Sequence, residues 1–264
     1  MKIAVCIKQV PETTDVKINP QTNTLVREGV ASITNPFDEF ALEEGLLTKE
    51  KFGGEVHVIS MGPPQAIEVL KNALAVGADK VYLLSDQAFA GADTLATAYT
   101  LAKTIEWIGG VDLVLCGKQA IDGDTAQVGP GIATRLGYPQ LTYVSKVREL
   151  DPANKKIVVE RMLEGGREVV QSSLPAVVTV LKDINEPRLP SLLGIKKAAK
   201  AQIPTLTAKD VPVDPDRIGL KGSPTWVSKI FAPEARGGGE VLKGELTVVV
   251  PLLVQKMMES KFIK

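Results

Sequence analysis

The sequence predicts an α/β fold with a doubly wound, mostly parallel sheet. Three observations carry this. Apolar strand-like runs alternate with helix-period segments through the first half of the chain. The helical segments are long enough to serve as crossovers between parallel strands. A chain of 264 residues, 44% hydrophobic and 23% charged, can bury an ordinary globular core.

The strands fall at Lys2–Val10, Glu55–Met61, Lys80–Leu84 and Val111–Cys116. A first helix opens at Asn35-Pro36, a good capping residue followed by proline at the first helical position. Asp38 and Glu39 suit the positive end of that helix. Phe37, Phe40, Ala41 and Leu47 form its predicted apolar face, and Gly53-Gly54 ends it. A second helix follows Pro63-Pro64, with Ile67, Leu70, Ala73 and Leu74 on one side and Gly77 as terminator. A third runs from near Asp93 to Ile108 and should bury Leu95, Ala98, Tyr99, Ala102 and Ile105. The second half is β-rich, with strands at Leu141–Glu149, Lys156–Met162 and Glu168–Ser173 and a turn at Glu164-Gly165-Gly166. One more buried strand follows at Val177–Leu181.

Beyond about Thr205, Pro212, Pro215, Pro224, Pro233 and Gly237-Gly238-Gly239 argue against a packed core. The expected division is an α/β domain at 1–204 and a C-terminal arm at 205–264, closing with a helix at about Leu242–Phe262. Such an arm suits wrapping a partner; the alternative is a helix folded back on its own domain.

Composition removes several chemistries. Lys+Arg minus Asp+Glu is 31 − 31 = 0, so no net field draws the chain onto nucleic acid or an anionic membrane. Aromatics are 5%, with no basic-aromatic patch for stacking bases, which also argues against nucleic acid. Apolar runs fall far short of the ~20 residues that span a bilayer, so membrane insertion is not expected. Lys8 closes the first apolar run too early for a signal peptide, and this places the chain in the cytoplasm. Cys6 and Cys116 sit in strand-like runs and read as reduced core residues. The single histidine, His57, lies inside an apolar strand, so a histidine-based zinc site or a Ser-His-Asp triad is not expected. No side chain offers itself as a catalytic acid or base, and no metal set is visible. A cofactor or partner must supply the chemistry.

Ligands of open α/β sheets bind beyond the carboxyl ends of the strands. Four loops lie there: Cys6-Ile7-Lys8-Gln9, Ser60–Pro64, Ser85–Asp93 leading into Thr94, and the stretch from Gly117 to Pro130. The fourth is the richest. A strand ends in Gly117, an acidic turn follows, and a helix begins near Thr125. Free backbone N–H groups at a helix start suit a phosphate or pyrophosphate. Thr125 and Gln127 can donate to it, and Gly117, Gly123 and Gly129 allow close approach. Spacing alone leaves a capped surface turn open as the alternative, because this is neither a Walker A loop nor GxGxxG.

Lys118-Gln119-Ala120-Ile121-Asp122, Asn35-Pro36-Phe37, Leu174–Thr179 and Asn185-Glu186-Pro187-Arg188 occur in the order found in electron-transfer flavoprotein β subunits, which residues 1 to about 200 resemble. The resemblance implies an adenine-nucleotide-hydrolase-like (Rossmann-like) fold with an added β-hairpin and a C-terminal arm. It also implies an α-subunit partner carrying FAD. Carried over by motif, the nucleotide pocket involves Cys6, Asn35, Pro36, Phe37, Asp38 and Met61. It also takes in the loop Gly117, Lys118, Gln119, Ala120, Ile121, Asp122, Gly123, Asp124, Thr125, Ala126, Gln127 and Val128.

Ordinary members hold AMP there and have an acidic, Asn-containing version of this loop. The loop in this chain, with Phe89-Ala90-Gly91-Ala92-Asp93-Thr94, instead resembles the electron-bifurcating branch. In that branch the β subunit holds a second FAD, which NADH reduces. One electron passes through the α-subunit FAD to an acyl-CoA dehydrogenase of the crotonyl/butyryl-CoA kind, and the other goes to ferredoxin or flavodoxin. Gly123 and Ala126 leave space for the larger ligand, and Thr94 and Thr97, beside Asp93, can bond a flavin diphosphate or ring. The alternatives are an ordinary carrier with structural AMP, or a stress-protein-like nucleotide module without a flavoprotein partner.

The segment at about 183–200 resembles the family's recognition loop, with Leu192 as its exposed dehydrogenase anchor. Lys196 replaces the usual Met, and Ala198-Ala199 thins the basic run; the alternative is a basic surface loop.

Overall fold

The computed structural model describes residues 1–12, 32–182, 184–228 and 239–263, with the backbone of 18–19 and 24–25. Pro233, Gly237, Gly238 and residue 183 of the docking segment lie outside the described residues.

In chain order the elements are β1 (Lys2–Cys6), β2 (Gln9–Pro11), β3 (Ile18–Asn19), β4 (Thr24–Leu25), β5 (Ser32–Thr34), α1 (Pro36–Phe52), β6 (Glu55–Met61), α2 (Ile67–Val76), β7 (Lys80–Leu84) and α3 (Thr94–Ile108). There follow β8 (Leu113–Gly117), α4 (Val128–Leu136), β9 (Gln140–Asp151), β10 (Lys156–Leu163), β11 (Gly166–Ser173), β12 (Ala176–Val180), α5 (Leu192–Lys200), β13 (Thr205–Leu206) and α6 (Leu246–Glu259). The main sheet runs β11-β10-β9-β12-β8-β1-β6-β7-β13. Its pairs are parallel from β9 to β13, and β10 and β11 add an antiparallel meander at one edge.

Alternation along the strands explains the two helical layers. Ile3, Val5, Val56, Val58 and Leu115 face one core with α1 and α2. Ala4, Cys6, Ile59, Val114 and Cys116 face the other with α3 and α4. His57 is buried with both ring nitrogens engaged: Nε2 meets Glu55 Oε2 at 2.9 Å, and Nδ1 meets the Tyr82 hydroxyl at 3.4 Å. This is the hydrogen-bonded strand histidine that its sequence context suggests.

Several expectations need correction. The first strand does not run to Val10. After Cys6 the Lys8 N–H turns to the Asp38 carboxylate, and β2 pairs with β5 outside the main sheet. On α1 the buried stripe is Ala41, Leu42, Gly45 and Leu46, whereas Leu47 is 40% exposed. Leu95, in the first turn of α3, is 43% exposed. The fourth post-strand helix starts at Val128, three residues after Thr125.

The largest correction concerns 205–228. Residues 205–218 pack, although their prolines argued otherwise, while Pro224–Ser228 stay exposed. β13 extends the sheet beside β7, and Leu206, Val211 and Ile218 are buried in the α3/α4 core. The compact unit therefore runs from Met1 to Lys229, past the expected boundary at 204. Prolines blocked a helix there, not burial. The second unit, Ile230–Lys264, contains α6, which is shorter than the expected Leu242–Phe262. No helix among the described residues is long and apolar enough to cross a membrane.

Candidate nucleotide-binding site

The site forms where β1 and β8 end side by side and α1 begins. Asn35 is fully buried, and its carboxamide does not cap its own helix. It reaches across instead: Nδ2 donates to the Gln119 carbonyl at 2.9 Å, and Oδ1 accepts from the Ile121 N–H at 3.1 Å. This corrects the capping role read from Asn35-Pro36. Three residues on, the buried Asp38 accepts the Lys8 N–H at 2.8 Å and the Gly117 N–H at 3.1 Å. Asn35 and Asp38 thus bind the ends of β1 and β8 into one cradle. Burial pushes the Asp38 carboxyl up to about 7, against the lowering by its hydrogen-bond donors.

Gly117 is required by contact. A Cβ there would collide with Asp38 Oδ1 and with Phe37 Cβ. Lys118 places its ammonium over the Phe37 and Tyr143 rings, 5.9 and 5.2 Å from their centroids. Lys8 Nζ meets both Asp122 oxygens at 2.7 and 2.8 Å on the outer wall. Within the loop the Asp124 N–H donates to the Ala120 carbonyl at 2.8 Å, and the Gln119 amide bonds the Asp124 carboxylate. Asp124 and Ala126 both take the left-handed conformation, at φ +52° and +54°. Asp tolerates this region; for Ala it costs about 1 kcal/mol, a strain of the kind held at functional loops.

α4 opens at Val128, so the Val128 and Gly129 N–H groups have no partner within the helix, whereas Pro130 carries none and the Gly131 N–H bonds the Gln127 carbonyl at 2.9 Å. Gln127 precedes the helix without a side-chain cap, and its Oε1 instead accepts from the Thr94 hydroxyl at 2.8 Å, tying α3 to α4. Gly129 lets α4 lie against the sheet end, because a Cβ would meet Thr179 Cγ2. An uncapped helix start beside glycines is a donor set for a phosphate or diphosphate. Thr125 is exposed within the loop, Thr97 is half-buried on α3, and Met61 is half-buried at the end of β6. Cys6 and Cys116 are register partners under this floor, and hydrogen bonding between the thiols, then burial, raises the Cys116 thiol well above its ordinary value.

The structure thus brings together Cys6, Asn35–Asp38 and Gly117–Val128, with Thr94 joined through Gln127. Asp93 does other work. One oxygen caps α3 through the Leu95 and Ala96 N–H groups, and the other holds the Thr225 N–H and hydroxyl. Leu192 lies apart, 87% exposed on α5, a helix where a loop was expected. Sequence reasoning missed Lys8, Tyr143 and Thr179 as site residues. Lys8 was visible in the post-β1 loop, but Tyr143 and Thr179 reach the site only through sheet register. Among the described residues no group of three His, Cys, Asp or Glu side chains is placed to hold a metal ion.

An α/β sheet with an uncapped helix start and close-approach glycines at its carboxyl edge has the form of a nucleotide- or dinucleotide-binding fold. Residues 22–211 match the "Electron transfer flavoprotein domain". The chain is 52% identical over 258 residues to the electron transfer flavoprotein subunit beta of Thermoanaerobacterium thermosaccharolyticum, covering 97% of this chain and 98% of that one. It is 50% identical over 265 residues, the full length of both chains, to the caffeyl-CoA reductase-Etf complex subunit CarD of Acetobacterium woodii. It is also 51% identical over 241 residues to protein FixA of Azorhizobium caulinodans, covering 89% of this chain and 86% of that one. The chain belongs to the electron transfer flavoprotein family, on its β-subunit side. This sets aside a free-standing stress-protein-like module.

Proposed function

We propose that this chain is the cytoplasmic β subunit of an αβ electron transfer flavoprotein that binds FAD in its own loop site. In this reading it passes electrons from NADH to an acyl-CoA dehydrogenase of the crotonyl/butyryl-CoA kind and to ferredoxin or flavodoxin. The observation that carries the reading is the 117–129 loop, where an uncapped helix start, close-approach glycines and the small residues Gly123 and Ala126 meet at the sheet edge. A flavin bound there would supply the redox chemistry, taking up the two electrons of a hydride. The protein's part is positional. Backbone N–H groups of the first turn of α4 would hold the diphosphate, with Thr125 and Gln127 beside it. Asn35 and Asp38 fix the loop, and Thr94 holds Gln127 in place. CarD, named as part of a caffeyl-CoA reductase-Etf complex, supports a CoA-ester dehydrogenase or reductase as partner.

The test is cofactor content per heterodimer after coexpression with the α subunit, followed by anaerobic NADH titration. Two FAD, no AMP and rapid bleaching by NADH are expected. One FAD with one AMP, and no response to NADH, would make this chain a structural-AMP subunit of an ordinary carrier.

A further inference from the structure

The 185–200 segment is unusually well tethered for a stretch that presents so much apolar surface. Leu189, Leu192 and Leu193 are 90%, 87% and 81% exposed. Just before them Arg188 reaches back onto α1. Its Nε and Nη2 donate to the two oxygens of Glu43 at 2.9 and 2.8 Å, and its backbone N–H adds a third bond to Glu43 at 3.1 Å. The remaining edge of the guanidinium bonds Glu50. Glu43 is 5% exposed while the Arg188 side chain keeps 32%, so the acid of this fork is buried under a half-exposed guanidinium and the pair is not a loose surface contact. Asn185 adds two bonds from its Nδ2, to the Phe40 carbonyl at 3.1 Å and to Glu44 at 3.0 Å. On the far side Ser191 caps α5 through the Gly194 N–H at 3.0 Å. Gly194 sits so close to α2 that a Cβ would collide with the Ala75 carbonyl.

We propose that Arg188 and Glu43 are positioning residues that hold the 189–200 segment in one preformed shape for its dehydrogenase partner. The inference rests on reading this segment as the docking element. A surface segment that bound nothing would gain little from a half-buried fork at its base, because an ion pair stabilises a fold weakly compared with apolar packing. Preorganisation gives the fork a use. Leucines already fixed in place lose little conformational freedom on docking, so affinity rises without a new contact. α1 suits the task because its start is fixed in the nucleotide cradle through Asn35 and Asp38.

The test uses the αβ heterodimer with purified butyryl-CoA dehydrogenase as the electron acceptor, and hydrogen exchange on the same proteins. Arg188→Ala should raise the apparent KM for the dehydrogenase about tenfold while kcat at saturation is retained, and amides of 192–200 should exchange at least tenfold faster. Arg188→Lys keeps the charge and satisfies Glu43 without the fork, so it folds normally and should fall between. Leu192→Ala should raise KM without changing exchange in 192–200. Unchanged exchange in both Arg188 variants would overturn the proposal. So would faster exchange with an unchanged KM when Leu192→Ala still raises it. If neither Leu192→Ala nor Arg188→Ala alters KM, or the wild-type heterodimer does not reduce the dehydrogenase, the docking reading itself fails, and the proposal with it.

Discussion

The nucleotide cradle and the 185–200 segment hang from the same helix, the first at its start and the second along its length from Phe40 to Glu50, yet they are built from opposite chemistry. At the start of α1, Asn35 and Asp38 bind backbone groups of loops that leave polar atoms facing the ligand space. Farther along, Glu43 and Glu50 bind one guanidinium, and the segment it fixes turns leucines outward. Under the two proposals above, the difference teaches how one helix can serve two partners. A site for a charged cofactor ties its loops together with buried uncharged or proton-holding groups and keeps the donors of a helix start for the ligand. A site for a protein uses a charged anchor out of the way and leaves apolar area exposed.

The contrast can be broken most severely at Gly117. A Cβ there strikes a backbone-anchored side chain, so Gly117→Ala should destabilise by about 3 kcal/mol and abolish cofactor retention, as denaturant melts and flavin content would report. Asn35→Ala comes next. It strands the buried-side Ile121 N–H and Gln119 carbonyl, and a loss of roughly 2 kcal/mol is expected, with cofactor content falling and docking at Leu192 retained.

Asp38 gives the comparison a pH signature. Its folded value of about 7 lies above the ordinary 3.8, so the folded state holds the proton more tightly than the unfolded chain. That contribution is complete below about pH 3.8 and is lost as pH rises through 7. The wild type minus Asp38→Asn stability difference, from urea melts at several pH values, should therefore decline between pH 4 and 7 and level off above. A flat difference would show that Asp38 ionises normally. Ala126→Gly, which relieves the left-handed strain, should gain about 1 kcal/mol of stability while loosening the loop and weakening cofactor binding. Smallest of all, Lys8→Ala removes an exposed ion pair with Asp122 and should cost at most about 0.5 kcal/mol, because water screens it.

Much of this was legible in the chain itself. The spans of β6 and β7 follow directly from apolar runs bounded by glycine and charge, and α3 begins beside Asp93 where the pattern places it. The loop at 117–128 stands out because glycine, acid and hydroxyl groups follow a strand. These features depend on neighbours a few residues away, and local pattern is enough to set them. Only the tertiary structure decided the rest. It turned the Asn35 side chain away from its own helix toward residues 119–121, desolvated Asp38, brought Lys118 between Phe37 and Tyr143, and packed the proline-bearing 205–218 stretch against β7 and α3. Each depends on strands far apart in sequence meeting in one register, and no local spacing encodes which backbone N–H will stand beside a buried carboxylate.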